Sequence, residues 1–237
     1  LAGSSDETIT EGLDGLRERL KEYYGLGARF TKWRAVYKIT EEFPSSQSII
    51  SNAHALARYA ALVQEANMVP IVEPEVLMDG SHNIDKCYTV TTDVLNECYN
   101  QLHIHQVDLK GTVLKPNMIV PGSDCKDKSN SEEIAKKTLE CLKKNVPSDV
   151  PGIAFLSGGQ SEIESSKNLN SINRINDSNF LITFSYGRGL QASALSEFGK
   201  NQSNIEKIQK AFNHRAKMNG LSSKGEWSED LEKESVA

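Results

Sequence analysis

The chain has 237 residues, with 27 Lys and Arg against 32 Asp and Glu, so its net charge of −5 supplies no basic field to draw it to nucleic acid or an acidic membrane. No apolar run approaches the roughly 20 residues needed to cross a bilayer. Cys87, Cys98, Cys125 and Cys141 lack CxxC spacing and no signal peptide is present, which points to reduced thiols in a cytoplasmic setting rather than zinc or disulfides. In chain order, Thr10 to Tyr24 sets Leu13, Leu16 and Leu20 on one side and predicts a helix stopping at Gly25. Arg29 to Val36 reads as a strand in which Lys32 and Arg34 share one face and Trp33 takes the other. Ile49, Ala53, Leu56, Ala60 and Val63 form a helical stripe, and the strand Val69 to Glu75 then presents two carboxylates, Glu73 and Glu75. A third strand, Val113 to Asn117, carries Lys115 where an apolar residue would be usual. Pro121 to Asn130 is a polar loop suited to the mouth of a site, and Ser129 with Glu132 predicts a capping box ahead of Ile134, Thr138, Cys141 and Leu142. Two further apolar strands end in Ser157-Gly158-Gly159-Gln160-Ser161 and in Ser185-Tyr186-Gly187-Arg188. Helices are expected from Leu190 to Phe198 and along Ile205, Ile208, Phe212 and Ala216 to Gly220. The charged, Ser-rich stretch beyond has too little apolar surface to offset the entropy of ordering and is expected to be mobile.

The intervals say how the strands assemble. Lys32 to Glu73 is 41 residues, Glu73 to Lys115 is 42, Lys115 to Ser157 is 42, and Ser157 to Ser185 is 28. A strand returning parallel to its neighbour needs a crossover of about a dozen residues, usually a helix, and each interval has room for one. Repeated βα units of the α/β class follow. Charges stay buried only when paired, neutralised or put to use, so several strands ending on one charged interior define a candidate active site. A desolvated Lys115 crowded by Lys32 and Arg34 is expected to have a lowered pKa, leaving some amine free to act as a nucleophile. After the last two strands, small residues let backbone amides approach an anion, a helix N-terminus adds partial positive charge, and Arg188 adds a bidentate cation. In (β/α)8 barrels the loops after the last two strands often build the phosphate site.

Plainer readings compete. Lys115 alone could snorkel to water from a strand edge, Glu73-Pro74-Glu75 could be a solvated turn, Ser157-Gly158-Gly159 a tight turn, and Arg188 the partner of a nearby carboxylate. His103 and His105 lack a third ligand placed by spacing and are read as surface or core residues rather than a metal site.

Together, Lys32-Trp33-Arg34, Val69-Pro70-Ile71-Val72-Glu73-Pro74-Glu75, Leu114-Lys115-Pro116-Asn117-Met118, Phe155-Leu156-Ser157-Gly158-Gly159-Gln160-Ser161 and Phe184-Ser185-Tyr186-Gly187-Arg188 closely resemble class I fructose-bisphosphate aldolase. The resemblance runs from Leu1 to about Gly220. It implies a (β/α)8 TIM barrel with about five C-terminal βα units in this chain, residues 1–220 forming the C-terminal part of one barrel domain and residues 221–237 a mobile tail. It also implies a lyase of glycolysis and gluconeogenesis, a homotetramer that reversibly cleaves fructose 1,6-bisphosphate to dihydroxyacetone phosphate and glyceraldehyde 3-phosphate through a covalent imine, without a metal or other cofactor. Position by position, Lys115 matches the imine-forming nucleophile and Glu73 the general acid and base. Glu75 and Lys32 match residues that tune and orient the charge network, and Arg34 sits where substrate phosphate or its surroundings would be positioned. Ser157, Gly158, Gly187 and Arg188 match the site for the C1 phosphate, with Ser185 beside it.

The departures define further expectations. The family's first three strands, which carry a catalytic aspartate, a further lysine and residues for the other phosphate, have no counterpart after Leu1, so the chain is expected to be the C-terminal part of a full enzyme. It ends at Ala237 without the terminal tyrosine that many members use. A different Schiff-base barrel lyase of the transaldolase kind and a catalytically silent phosphosugar-binding or scaffolding protein are the alternatives; the five ordered motifs argue against the first, and binding without turnover would identify the second.

Overall fold

A computed structural model of the protein describes residues 1–233. After α1 (Leu16–Gly25), the chain forms β1 (Phe30–Tyr37), α2 (Ser46–Glu65), β2 (Val69–Val76), α3 (Ile84–Ile104), β3 (Val113–Leu114), α4 (Ser131–Asn145), β4 (Gly152–Phe155), α5 (Glu162–Ile175) and β5 (Leu181–Phe184). Then come α6 (Arg188–Lys200), α7 (Ile205–Ser222) and α8 (Glu229–Lys233). The five strands form one parallel sheet in which spatial order equals sequence order. Right-handed crossovers that always step to the next place in the same direction put every connecting helix on one face. The opposite face is left as a concave interior, so the sheet is an arc of a (β/α)8 barrel and not a doubly wound sheet, whose order would reverse.

Alternation along the strands sends each kind of side chain to its own face. Trp33, Ala35 and Tyr37 of β1 are buried toward the helices, where Trp33 meets Tyr59 of α2 at 5.4 Å between ring centroids. Lys32 and Arg34 go the other way, into the concave interior. The stripe of α2 buries Ala53, Leu56, Ala60 and Val63 completely, and Ser45 caps the helix by accepting from Ser48 N. All four cysteines are free and buried. Burial pushes the thiol pKa of Cys87 up to about 11 and of Cys98 up to about 12, so both pack as neutral apolar groups.

Several expected boundaries move, each for a local reason. The first helix starts at Leu16 rather than Thr10, because Gly12 and Gly15 take positive φ values of 127° and 65° and break the turn ahead of it; Leu13 still packs on the core. The cap of α4 is Asn130, which accepts from Glu133 N, and not Ser129; the Ser–x–x–Glu box forms instead at Ser161 and Glu164 of α5. β3 is shorter than expected because Pro116 has no N–H to give, although Lys115 N still donates to Val72 O at 2.8 Å and extends the ladder by one residue. On α7 the apolar stripe is not the packed one. Ile205 and Phe212 are exposed, and the buried face is Arg215, Met218, Asn219 and Ser222 at helical spacing.

The segment after α7, expected as a mobile tail lacking apolar surface, docks through Trp227 and Glu232; residues 234–237 of that expectation lie outside the described residues. Trp227 supplies the missing burial: its side chain is buried, its backbone N donates to Asn170 Oδ1 at 3.0 Å, and its Nε1 donates to Glu232 Oε2 at 2.7 Å. Glu232 is gripped at both oxygens by Arg215, at 2.6 and 2.8 Å. Burial pushes the Glu232 carboxyl up, but the hydrogen bonds from Arg215, Trp227 and His214 and the charge of Arg215 outweigh it and hold it below the usual carboxylate range. A lowered folded-state pKa contributes stability that is present above the unfolded value and lost as pH falls through the folded one. Tryptophan emission is therefore expected to stay constant near neutral pH and to shift red only as pH falls below the ordinary carboxylate range; emission that stays unshifted on that acidification would contradict the clasp.

Candidate active site

Because all five strands are parallel, the residues after each of them emerge at one end of the sheet, and the singled-out residues collect there in two groups. The first is a charge cluster on β1, β2 and the end of β3. Glu73 and Glu75 are buried at 3% and 5% exposure, and strand register sets Arg34 opposite Glu73. Glu73 Oε1 lies 3.0 Å from Lys115 Nζ, and its Oε2 lies 3.2 Å from Lys32 Nζ, an ion-pair contact without well-directed hydrogen-bond geometry. Glu75 Oε2 accepts from Arg34 Nε at 2.5 Å, and that bond, against the opposing effect of partial burial, raises the guanidinium pKa above its ordinary value. The Lys115 side chain is 12% exposed, so its stem is packed and only its tip opens to the concave face.

This arrangement changes one expectation. Lys32 and Arg34 do not crowd Lys115 as bare like charges. Glu73 stands between the two lysines, and Arg34 is engaged by Glu75, so the cations are interleaved with carboxylates. One carboxylate bound to two amines is suited to moving a proton between a nucleophilic nitrogen and a reacting oxygen. Asn117, quoted in its motif but given no role, locks the base of the cluster: its Oδ1 accepts from Val76 N at 3.1 Å while its Nδ2 donates to Thr91 Oγ1 at 3.1 Å.

The second group lies at the ends of β4 and β5. Ser157 is buried and its Oγ accepts from Gly189 N at 3.3 Å, Arg188 Nη2 donates to Gly158 O at 2.8 Å, and Ser185 N donates to Phe155 O at 2.8 Å, extending the ladder. Gly187 caps α6 without a side chain; in the first turn Gly189 N is taken by Ser157 Oγ and Leu190 N by Gly187 O, so the anion would meet the start of the helix at Gly187 and Arg188. Gly158 takes a φ of 57°, which carries the chain sharply away from β4. Around the mouth, the loop after β3 is stitched to the loop after β2 by backbone bonds from Gly122 N to His82 O, Ser123 N to Met78 O and Asp124 N to Gly80 O, at 2.8, 2.7 and 2.9 Å. Only glycine fits at 122, since a Cβ there would stand 2.2 Å from Gly80 O.

The charge cluster faces the open side of an arc and is not enclosed as a cavity. A concavity of about 800 Å³ lies elsewhere, between residues 9–14 and α2, lined by His54 and Arg58. His103 and His105 sit at the end of α3, where the His105 ring meets His54 edge-on at 4.8 Å. Among the described residues no group of three or more His, Cys, Asp or Glu converges as a metal site, and no helix is long and apolar enough to cross a membrane.

A sequential parallel sheet with a lysine–carboxylate cluster at the carboxyl ends of its strands defines a barrel protein of the (β/α)8 class. More narrowly, the chain belongs to the class I fructose-bisphosphate aldolase family, whose model matches residues 1–237. It is 52% identical to the cytosolic fructose-bisphosphate aldolase 4 of Arabidopsis thaliana over 98% of this chain and 59% of the relative. It is 49% identical to a probable class 1 fructose-bisphosphate aldolase of Xylella fastidiosa over 96% of this chain and 68% of the relative. Among solved structures, the Plasmodium falciparum fructose-bisphosphate aldolase, crystallised with TRAP and a small-molecule inhibitor, superposes with a TM-score of 0.93 at 44% identity, covering 96% of this chain and 66% of that one. The chain thus spans about three fifths to two thirds of the length of these relatives.

Proposed function

We propose that the chain carries the imine-forming and phosphate-holding part of a class I fructose-bisphosphate aldolase, which reversibly cleaves fructose 1,6-bisphosphate into dihydroxyacetone phosphate and glyceraldehyde 3-phosphate. The observation that carries this reading is Glu73 ion-paired with both Lys115 and Lys32 on the concave face of the sheet. Lys115 Nζ gives up a proton to Glu73 and attacks the C2 carbonyl of the ketose. The resulting carbinolamine loses its hydroxyl as water, with Glu73 returning the proton, and leaves a protonated imine. That cation accepts the electron pair of the breaking C3–C4 bond as an enamine, while Glu73, a carboxylate again, takes the proton of the C4 hydroxyl and the aldehyde departs. Lys32 holds the far oxygen of Glu73, and the Arg34–Glu75 pair fixes the neighbouring side chains, so that the carboxylate is kept aimed at Lys115. Ser157, Gly158, Ser185, Gly187 and Arg188 hold the C1 phosphate through a hydroxyl, open amides and a guanidinium, anchoring the substrate away from the bond that breaks. In this reading the enzyme works in the cytoplasm as a homotetramer.

The test is cleavage of fructose 1,6-bisphosphate by the complete protein, followed by coupled reduction of the released dihydroxyacetone phosphate. Turnover supports the assignment, whereas binding without turnover would identify a silent phosphosugar-binding protein. In the same assay Arg188→Ala is expected to raise KM by about 10- to 100-fold, the worth of a hydrogen bond to a charged group, with a smaller change in kcat. An unchanged KM would remove Arg188 from the phosphate site.

A further inference from the structure

Behind the first turn of α6 lies a chain of shielded polar groups that the proposed chemistry does not use. Gly189, whose N–H meets Ser157 Oγ, has its carbonyl held by Asn219 Nδ2 at 3.2 Å. Asn219 Oδ1 accepts from Ser166 Oγ at 2.6 Å, and Ser166 Oγ accepts from Arg215 Nη2 at 3.1 Å. Arg215 in turn grips Glu232, which also accepts from Trp227 Nε1. Ser166 and Asn219 are fully buried and Arg215 is nearly so. Keeping an arginine and two hydrogen-bonding side chains out of water costs free energy that an apolar helix contact would not. The chain ends on a turn with no slack. A Cβ at Gly189 would stand 2.8 Å from Ser157 Cβ and 2.9 Å from Ser165 Oγ, so any shift of this turn is felt directly at Ser157.

We propose that Asn219, Ser166 and Arg215 are positioning residues for phosphate binding. They fix the Gly189 peptide so that Ser157 Oγ and the start of α6 at Gly187 and Arg188 stay aligned, and they make that alignment depend on the seating of the Trp227–Glu232 segment. This inference rests on the reading of Ser157, Gly158, Gly187 and Arg188 as the phosphate site.

The test compares two ketones in the complete protein, dihydroxyacetone phosphate and dihydroxyacetone, each added with borohydride so that reduction of the imine on Lys115 is read by mass spectrometry. In Asn219→Ala the concentration of dihydroxyacetone phosphate giving half-maximal trapping is expected to rise about tenfold, while trapping by dihydroxyacetone, which has no phosphate to hold, stays within about twofold. Glu232→Gln keeps the packing and weakens only the far end of the chain, and is expected to shift the same concentration about two- to threefold. An unchanged dependence in both variants overturns the proposal. So does an equal loss with both ketones, which would mean that these residues only hold the fold together. Arg188→Ala, run in parallel, separates this from the underlying reading: if it too leaves the dependence unchanged, the phosphate is held elsewhere, and if it alone weakens binding, only the positioning role fails.

Discussion

Replacing Lys115 by Met is expected to lower kcat by at least about a thousandfold, because a thioether cannot form the imine on which the proposed carbon–carbon cleavage depends. The substitution keeps most of the length and apolar stem of a side chain that is largely packed, and it leaves the backbone bond from residue 115 N to Val72 O in place. What it removes is one of the two ammonium groups on Glu73. Losing one partner of a buried ion pair typically costs about 3–5 kcal/mol, but here Lys32 remains 3.2 Å from the other oxygen and is half-exposed, so a loss of about 1–2 kcal/mol is expected. Coupled-assay turnover and urea unfolding of the complete protein measure the two effects separately. Turnover within tenfold of the parent would overturn the role of Lys115, whatever happened to stability.

Glu73→Gln is expected to divide the reaction differently. The amide keeps the shape of the side chain, but it cannot shuttle a proton and no longer balances two amines at about 3 Å. Turnover is expected to fall by about 10²- to 10⁴-fold, the usual contribution of a positioned acid or base. Lys115 is still present, however, so reductive trapping of the imine is expected to survive at a reduced rate. Turnover within about tenfold of the parent would contradict the proton-moving role of Glu73.

The two variants address a cluster whose placement follows from simple features of the chain. Period-two alternation sends Lys32 and Arg34 away from Trp33, and roughly 42-residue spacing brings Glu73 and Lys115 to the same end of neighbouring strands. What alternation does not encode is which charge meets which: the same residues could have left Lys115 crowded by cations, and although the register sets Arg34 directly opposite Glu73, its side chain reaches the diagonal Glu75 and leaves Glu73 to the two lysines. Helix periodicity worked where the stripe was apolar and local, as on α2, and failed on α7, where the buried stripe is Arg215, Met218, Asn219 and Ser222. Those polar residues are shielded because their partners come from far along the chain, Ser166, Gly189 and Glu232, and no window of sequence shows such pairings. Trp227 was the one readable sign that the last segment docks, a large apolar ring amid charges.

The central claim is that Lys115 is the residue that bonds to the substrate. Fructose 1,6-bisphosphate added with borohydride, followed by digestion and mass spectrometry, tests it most directly. The expected result is a single reduced adduct on Lys115, reduced in yield by competing inorganic phosphate. An adduct on Lys32 instead, or none on Lys115 while the protein turns over substrate, would contradict it.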